Sequence, residues 1–129
     1  MSMPQRILVI DDESTVIFTL TQVLSANGFE VVSATDADQA MAILANTACD
    51  LVLCDLVMPT IDGVRVIQRL GRDYPAVPVI AMTGGGSAMP PALSLPLAEA
   101  SGARASLVKP FTQAELLTAI REVLTGSGR

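Results

Sequence analysis

The sequence predicts an α/β fold, a doubly wound five-stranded parallel sheet in which each strand is followed by a helix, (βα)5. Two observations lead there. Five short apolar runs bounded by turn residues alternate with segments whose apolar residues recur at helical spacing. The middle runs are near-continuous rather than alternating, as strands covered on both faces should be. Composition agrees: 50% of the residues are hydrophobic but only 3% aromatic, so the core is built from Val, Leu, Ile, Ala and Met.

The first strand is RILVI (6–10). Val16, Leu20, Val23 and Leu24 give the next helix an apolar stripe, closed at Asn27-Gly28, where a residue tolerant of positive φ is needed. EVVSA (30–34) is the second strand. Asp36 with Gln39 three positions on reads as a capping box opening the second helix, whose buried face is Ala40, Ile43 and Leu44. DLVLC (50–54) is the third strand, followed by a helix marked by Val64, Ile67 and Leu70 and ending near Gly71. PVIAM (78–82) is the fourth.

Behind it runs TGGGSAMPPALSLPLAEASGA, with three consecutive glycines and then Pro90, Pro91 and Pro96. Proline inside a helix costs about 3 kcal/mol, so the fourth helix is expected to begin near Ser94 to Pro96 and end near Ser101-Gly102, after a long mobile loop. SLVK (106–109) is the last strand. Thr112 with Glu115 is a second capping box, and Leu116, Ile120, Val123 and Leu124 supply the final stripe. The reading is one domain over residues 1–129, with its core at about 6–125 and the tail GSGR (126–129) disordered.

Charge and residue usage remove several functions. The net charge is −5 and the eight basic residues are scattered, so no footprint for a phosphodiester backbone is visible and direct nucleic-acid binding is not expected. MSMPQR is too short and polar for a secretion signal, and no apolar run approaches the roughly 20 residues of a membrane span; a cytoplasmic protein is expected. Cys49 and Cys54 flank one strand and, without histidine, cannot make a zinc site, so both are read as reduced thiols. The absence of histidine also excludes a Ser-His-Asp triad, a Cys-His pair and a phosphohistidine carrier. The chemistry is left to carboxylates, hydroxyls and a single lysine, Lys109.

In a doubly wound sheet, ligands sit outside the C-terminal ends of the strands. Asp11 and Asp12 close the first strand, Asp55 the third, Thr83 the fourth and Lys109 the fifth, so all five converge on one edge. Two unit charges about 4 Å apart repel by roughly 4 kcal/mol at an effective dielectric of about 20. Three convergent carboxylates therefore call for a divalent cation, and hard oxygen donors without His or Cys favour Mg²⁺ or Mn²⁺.

These residues carry a resemblance. DD at 11–12, DLVMPTIDG at 55–63, Thr83 and KPF at 109–111, in this order, make the chain similar to the response-regulator receiver domains of two-component signalling, over residues 6 to about 125. The resemblance implies the flavodoxin-like strand order 2-1-3-4-5. It implies Asp55 as phosphoacceptor from the phosphohistidine of a sensor histidine kinase or phosphotransfer protein, and a downstream target protein. Mg²⁺ is to be bound by Asp12, Asp55 and the Val57 carbonyl, with Asp11 acting through a metal-bound water. Lys109 is to pair with Asp55 and then with a phosphoryl oxygen, Thr83 is to bond another, and the amide of residue 84 is to help. A cis Lys109-Pro110 bond is also implied, and Met58-Pro59 with Asp62-Gly63 is to fix the loop that aims Val57. Glu13 either lies beside the metal or favours the first turn of the first helix through its dipole, the second being the preferred reading.

One departure stands out. Many receivers have an aromatic three positions before the lysine, and here that residue is Ser106, so the threonine-to-aromatic switch is unavailable as such. Readout is expected instead from reordering of residues 84–96, the alternative being that this loop is only variable surface, with residues 94–125 as the partner face and Leu95, Leu97 and Leu107 as candidate anchors, although ordinary core burial is the expectation for Leu107. The expectation is a receiver that either stands alone or is excised from a longer protein, with no output domain legible in the residues after 125. The alternative, a degenerate receiver that only binds partners, is opposed by the complete set Asp11, Asp12, Asp55, Thr83 and Lys109. A haloacid-dehalogenase-like phosphatase looks for a second Asp where this chain has Val57, and a P-loop would need a lysine that GGGS lacks.

Overall fold

A computed structural model of the 129-residue chain describes residues 4–58, 61–84, 100 and 102–126, with residues 57–58 and 61–62 described by their main chain. The main sheet has five parallel strands: β1 (Arg6–Ile10), β2 (Glu30–Ala34), β3 (Leu51–Asp55), β6 (Val79–Gly84) and β7 (Ala105–Lys109). They lie in the order β2-β1-β3-β6-β7, which is 2-1-3-4-5 among the sheet's own strands, as the resemblance implied. The helices are α1 (Ser14–Ala26), α2 (Ala37–Asn46), α3 (Gly63–Asp73) and α4 (Gln113–Thr125). The expected helix near 94–101, and most of the loop before it, lie outside the described residues.

The pleat sends successive side chains to opposite faces, so one continuous apolar strand feeds two cores. Leu8 and Ile10 of β1, Val52 and Cys54 of β3, and Val79 and Ala81 of β6 pack under α2 and α3, against Ala40, Leu44, Val66, Ile67 and Leu70. Ile7 and Val9, Leu51 and Leu53, and Ile80 and Met82 face the other way, against Leu20 and Leu24 of α1 and Leu116, Ile120 and Val123 of α4. The central strands are thereby sealed on both sides. Their positions are fixed to within a residue, because slipping by one would exchange the two cores.

Local details depart from the sequence reading. Gly71 does not stop α3, which runs on to Asp73: burial of Ile67 and Leu70 and the Arg69–Asp73 ion pair (3.6 Å) outweigh the roughly 1 kcal/mol penalty of an interior glycine. Val66 is buried, while Val64 is only half-buried. At α2 only half of the capping box forms. Asp36 accepts from the Gln39 amide (2.8 Å), but the Gln39 side chain serves the amide and hydroxyl of Thr35 instead. The Thr112/Glu115 box at α4 is reciprocal, at 3.0 and 2.9 Å. Gly126 is not tail: with φ +78° it is the left-handed C-cap of α4, its N–H donating to the Val123 carbonyl. Asn27 and Gly28 (φ +89°) close α1 as expected.

Candidate functional site

Strand β1 ends at Ile10, and Asp11 follows with its N–H donating to the Ala34 carbonyl of β2 (3.1 Å). The Asp11 carboxylate is fully buried and accepts from the Glu13 N–H (2.9 Å), so it caps the turn into α1. Glu13 itself is the N-cap, in extended conformation without a side-chain capping bond, and not a residue of the first turn.

Asp55 is the last residue of β3, 4% exposed, in register with Met82 of β6. Past it, the Leu56 N–H donates to the Met82 carbonyl (2.8 Å), pinning the chain to β6 just beyond the carboxylate. The backbone then forms a two-stranded antiparallel ribbon, β4 (Val57–Met58) with β5 (Ile61–Asp62), in which Val57 pairs with Asp62. Nothing in the apolar pattern announces a hairpin this short. Gly63 opens α3 directly beneath: a Cβ there would fall well inside van der Waals distance of the Asp55 and Leu56 carbonyl oxygens. Only glycine lets the helix start this close to the acidic loop.

The sequence-predicted acids do meet. Carboxylate oxygens of Asp11, Asp12 and Asp55 lie within 4.8 Å of one another, with Asp12 half-buried and the other two buried. Lys109, at the end of β7, reaches them from 98 residues away: its Nζ is 3.0 Å from Asp11 Oδ2 and 3.5 Å from Asp55 Oδ2. The expected pairing with Asp55 is present, and Asp11 is a second and closer partner. Burial lowers the pKa of the Lys109 ammonium, but the Asp55 charge, the Asp11 hydrogen bond and the charges of Asp11 and Glu13 outweigh it and hold it above the ordinary lysine value. The Lys109-Pro110 bond is cis.

Thr83 is fully buried and lies inside β6 rather than beyond it, because the strand continues to Gly84. Its hydroxyl donates to the Leu107 carbonyl of β7 at 3.4 Å, longer than the usual 2.5–3.0 Å for such a bond. Leu107 is core, 7% exposed, as expected for it; Leu95 and Leu97 lie outside the described residues. Cys49 and Cys54 are free thiols.

The donor set is all oxygen, gathered at one point and short of positive charge. That fits a hard divalent cation such as Mg²⁺ and does not fit zinc. A family profile for the response regulator receiver domain matches residues 7–121. The chain belongs to that family. Among curated relatives, the response regulator MprA of Mycobacterium sp. (strain KMS) is 36% identical over 122 residues, 95% of this chain and 51% of that protein. The transcriptional regulatory protein CpxR of Klebsiella pneumoniae is 37% identical, over 95% of this chain and 50% of CpxR. The chain therefore spans about half the length of the curated relatives it matches. In three dimensions it resembles the CheY-like receiver domain protein of Methanospirillum hungatei, with a TM-score of 0.84 and 28% identity over 95% of both chains. It also resembles NtrX of Brucella abortus, with a TM-score of 0.87 and 29% identity over 97% of this chain and 28% of NtrX. Among the described residues no helix is long and apolar enough to cross a membrane.

Proposed function

We propose that Asp55 accepts a phosphoryl group from the phosphohistidine of a partner sensor kinase or phosphotransfer protein in a Mg²⁺-dependent reaction, and that the phosphorylated state changes the binding of a downstream protein. The observation that carries this is the convergence of three carboxylates within 4.8 Å with the only lysine of the sequence bonded into them. Receiver domains bind Mg²⁺ through acidic residues, and here Asp11, Asp12, Asp55 and the Val57 carbonyl would hold it. Bound there, the ion supplies positive charge against the carboxylates and the phosphoryl oxygens.

The chain's own residues do the rest. A carboxylate oxygen of Asp55 attacks phosphorus; the new O–P bond forms as the donor's N–P bond breaks, and that electron pair stays on the imidazole nitrogen, which takes a proton from solvent. Lys109 turns its ammonium from the Asp55 carboxylate to a phosphoryl oxygen. The Thr83 hydroxyl, lightly held by Leu107, donates to another. Cys54 takes no part: it is fully buried, and burial together with the charges of Asp55 and Asp11 pushes its thiol far above the ordinary range. Water cleaves the acyl phosphate and restores Asp55, so the chain catalyses only its own modification. Intact-mass analysis after incubation with acetyl phosphate and Mg²⁺ tests the reading. Wild type gains one phosphoryl group and Asp55→Asn none; a gain that survives the substitution, or no gain in wild type, refutes it.

A further inference from the structure

We infer that the outer face of α3 is a docking surface for an acidic helical segment of a partner protein, held by a row of three arginines. This face takes no part in the chemistry at Asp55. Two observations carry it. Along the chain the basic residues look scattered, but folding gathers three of them on one helix face: Arg65, Arg69 and Arg72 stand at i, i+4 and i+7 of α3, all exposed, opposite buried Val66, Ile67 and Leu70. With Asp73 as its single acid, α3 carries a net charge of +2 in a chain of −5. Asp73 does not quench the row. It is shared between Arg69 (3.6 Å) and Arg72 (3.3 Å), both longer than the roughly 2.7–2.9 Å of a good charge-assisted hydrogen bond, and the two arginine side chains stay 47% and 74% exposed.

The second observation is Gly71. It is exposed, its φ is not positive, and a Cβ built on it would meet nothing within 4 Å, so neither backbone conformation nor packing among the described residues asks for glycine there. Inside a helix it is a weakening residue all the same. It lies three positions after exposed Gln68 and directly before Arg72, on the flank of the arginine row, and its bare backbone lets another chain approach where a side chain would stand in the way. Carboxylates suit this row. Guanidinium groups bind them two-pronged, and a helical rise of about 1.5 Å per residue spreads the row over about 10 Å, the span of a matching i, i+4, i+7 row of Glu or Asp on a second helix. Reach decides against larger polyanions. A nucleic-acid duplex or an anionic membrane lies along the whole molecule, whose residues outside α3 sum to −7, whereas a short segment covering α3 alone is screened from charges more than about 8 Å away.

The test is fluorescence anisotropy with a labelled, end-blocked peptide of about 20 residues, built on Ala and Gln with Glu in the i, i+4, i+7 pattern, against a scrambled peptide of the same composition. Wild type should bind the patterned peptide at least roughly fivefold more tightly than the scrambled one, and raising NaCl from about 50 to about 500 mM should weaken it roughly tenfold. Arg65→Gln, Arg69→Gln and Arg72→Gln combined should weaken it roughly tenfold or more at low salt, with circular dichroism establishing that the variant is folded. Gly71→Gln separates docking from folding. It should raise the midpoint of urea unfolding, because a helix former replaces glycine in open space, and weaken the patterned peptide roughly fivefold. The inference is overturned if the two peptides bind alike, if Gly71→Gln binds as wild type does, if a DNA duplex or phosphatidylserine vesicles displace the patterned peptide, or if the triple substitution dissolves a wild-type dimer while leaving peptide binding unchanged. None of these readouts involves Asp55, so they stand or fall apart from the phosphoacceptor reading.

Discussion

Asp12 is the carboxylate that the fold leaves uncompensated. Lys109 bonds Asp11 and Asp55, and among the described residues no cation pairs with Asp12, so three carboxylates face one ammonium. At the 4.8 Å outer limit of the cluster, one like-charge pair repels by about 3.5 kcal/mol at an effective dielectric of about 20. Asp12 is only half-buried, and solvent screening reduces what its charge costs to roughly 1 kcal/mol. Asp12→Asn keeps the shape and removes the charge, so without metal it should be more stable than wild type by about that amount. Mg²⁺ should reverse the order. At about 100 times its dissociation constant it should stabilise the wild-type fold by about 2.7 kcal/mol, and the variant, short of one ligand charge, by clearly less. Urea unfolding of both proteins in EDTA and in Mg²⁺ measures all four terms. A variant that is less stable than wild type in EDTA, or that gains as much from Mg²⁺, would refute the electrostatic account of the site.

Other predictions follow from named contacts. Gly63→Ala should cost about 1–3 kcal/mol in urea unfolding, because the new methyl group meets the Asp55 and Leu56 carbonyls, and it should slow modification by acetyl phosphate beyond what lost stability explains. Thr112→Ala removes the acceptor for the Glu115 amide and should destabilise by about 1 kcal/mol in the same assay, leaving the modification rate unchanged. Burial raises the Cys54 thiol in the folded state above its unfolded value of about 8.5. The stability this group contributes is therefore complete below about pH 8.5 and is lost as pH rises toward the folded value, by up to roughly 1.4 kcal/mol per pH unit. Urea midpoints between about pH 8 and 10 should accordingly fall more steeply for wild type than for Cys54→Ala.

The elements most legible in the sequence were those whose burial is continuous. ILVI and LVLC could be read as central strands because a run covered on both faces needs no alternation, and β1 and β3 bury those residues. The meeting of Asp11, Asp12, Asp55 and Lys109 followed from fold class alone, since parallel strands deliver their C-terminal ends to one edge. Contacts decided by a few tenths of an ångström were not legible. Residue order does not show that Lys109 prefers Asp11, that Gln39 turns to Thr35 instead of closing its capping box, or that the Thr83 hydroxyl rests on Leu107. The β4–β5 ribbon escaped because two-residue strands leave no period to detect. Gly63 was read only as a loop residue; the signal that could have found its true role is its place at the first turn of a strongly amphipathic helix, immediately after the acidic loop.

The tether between residues 11 and 109 makes the acidic site depend on the last strand of the sheet. A nascent or partly unravelled chain that lacks β7 brings no ammonium to the acids, so its carboxylates stay mutually repelled and the site is electrostatically complete only in molecules whose last strand has docked.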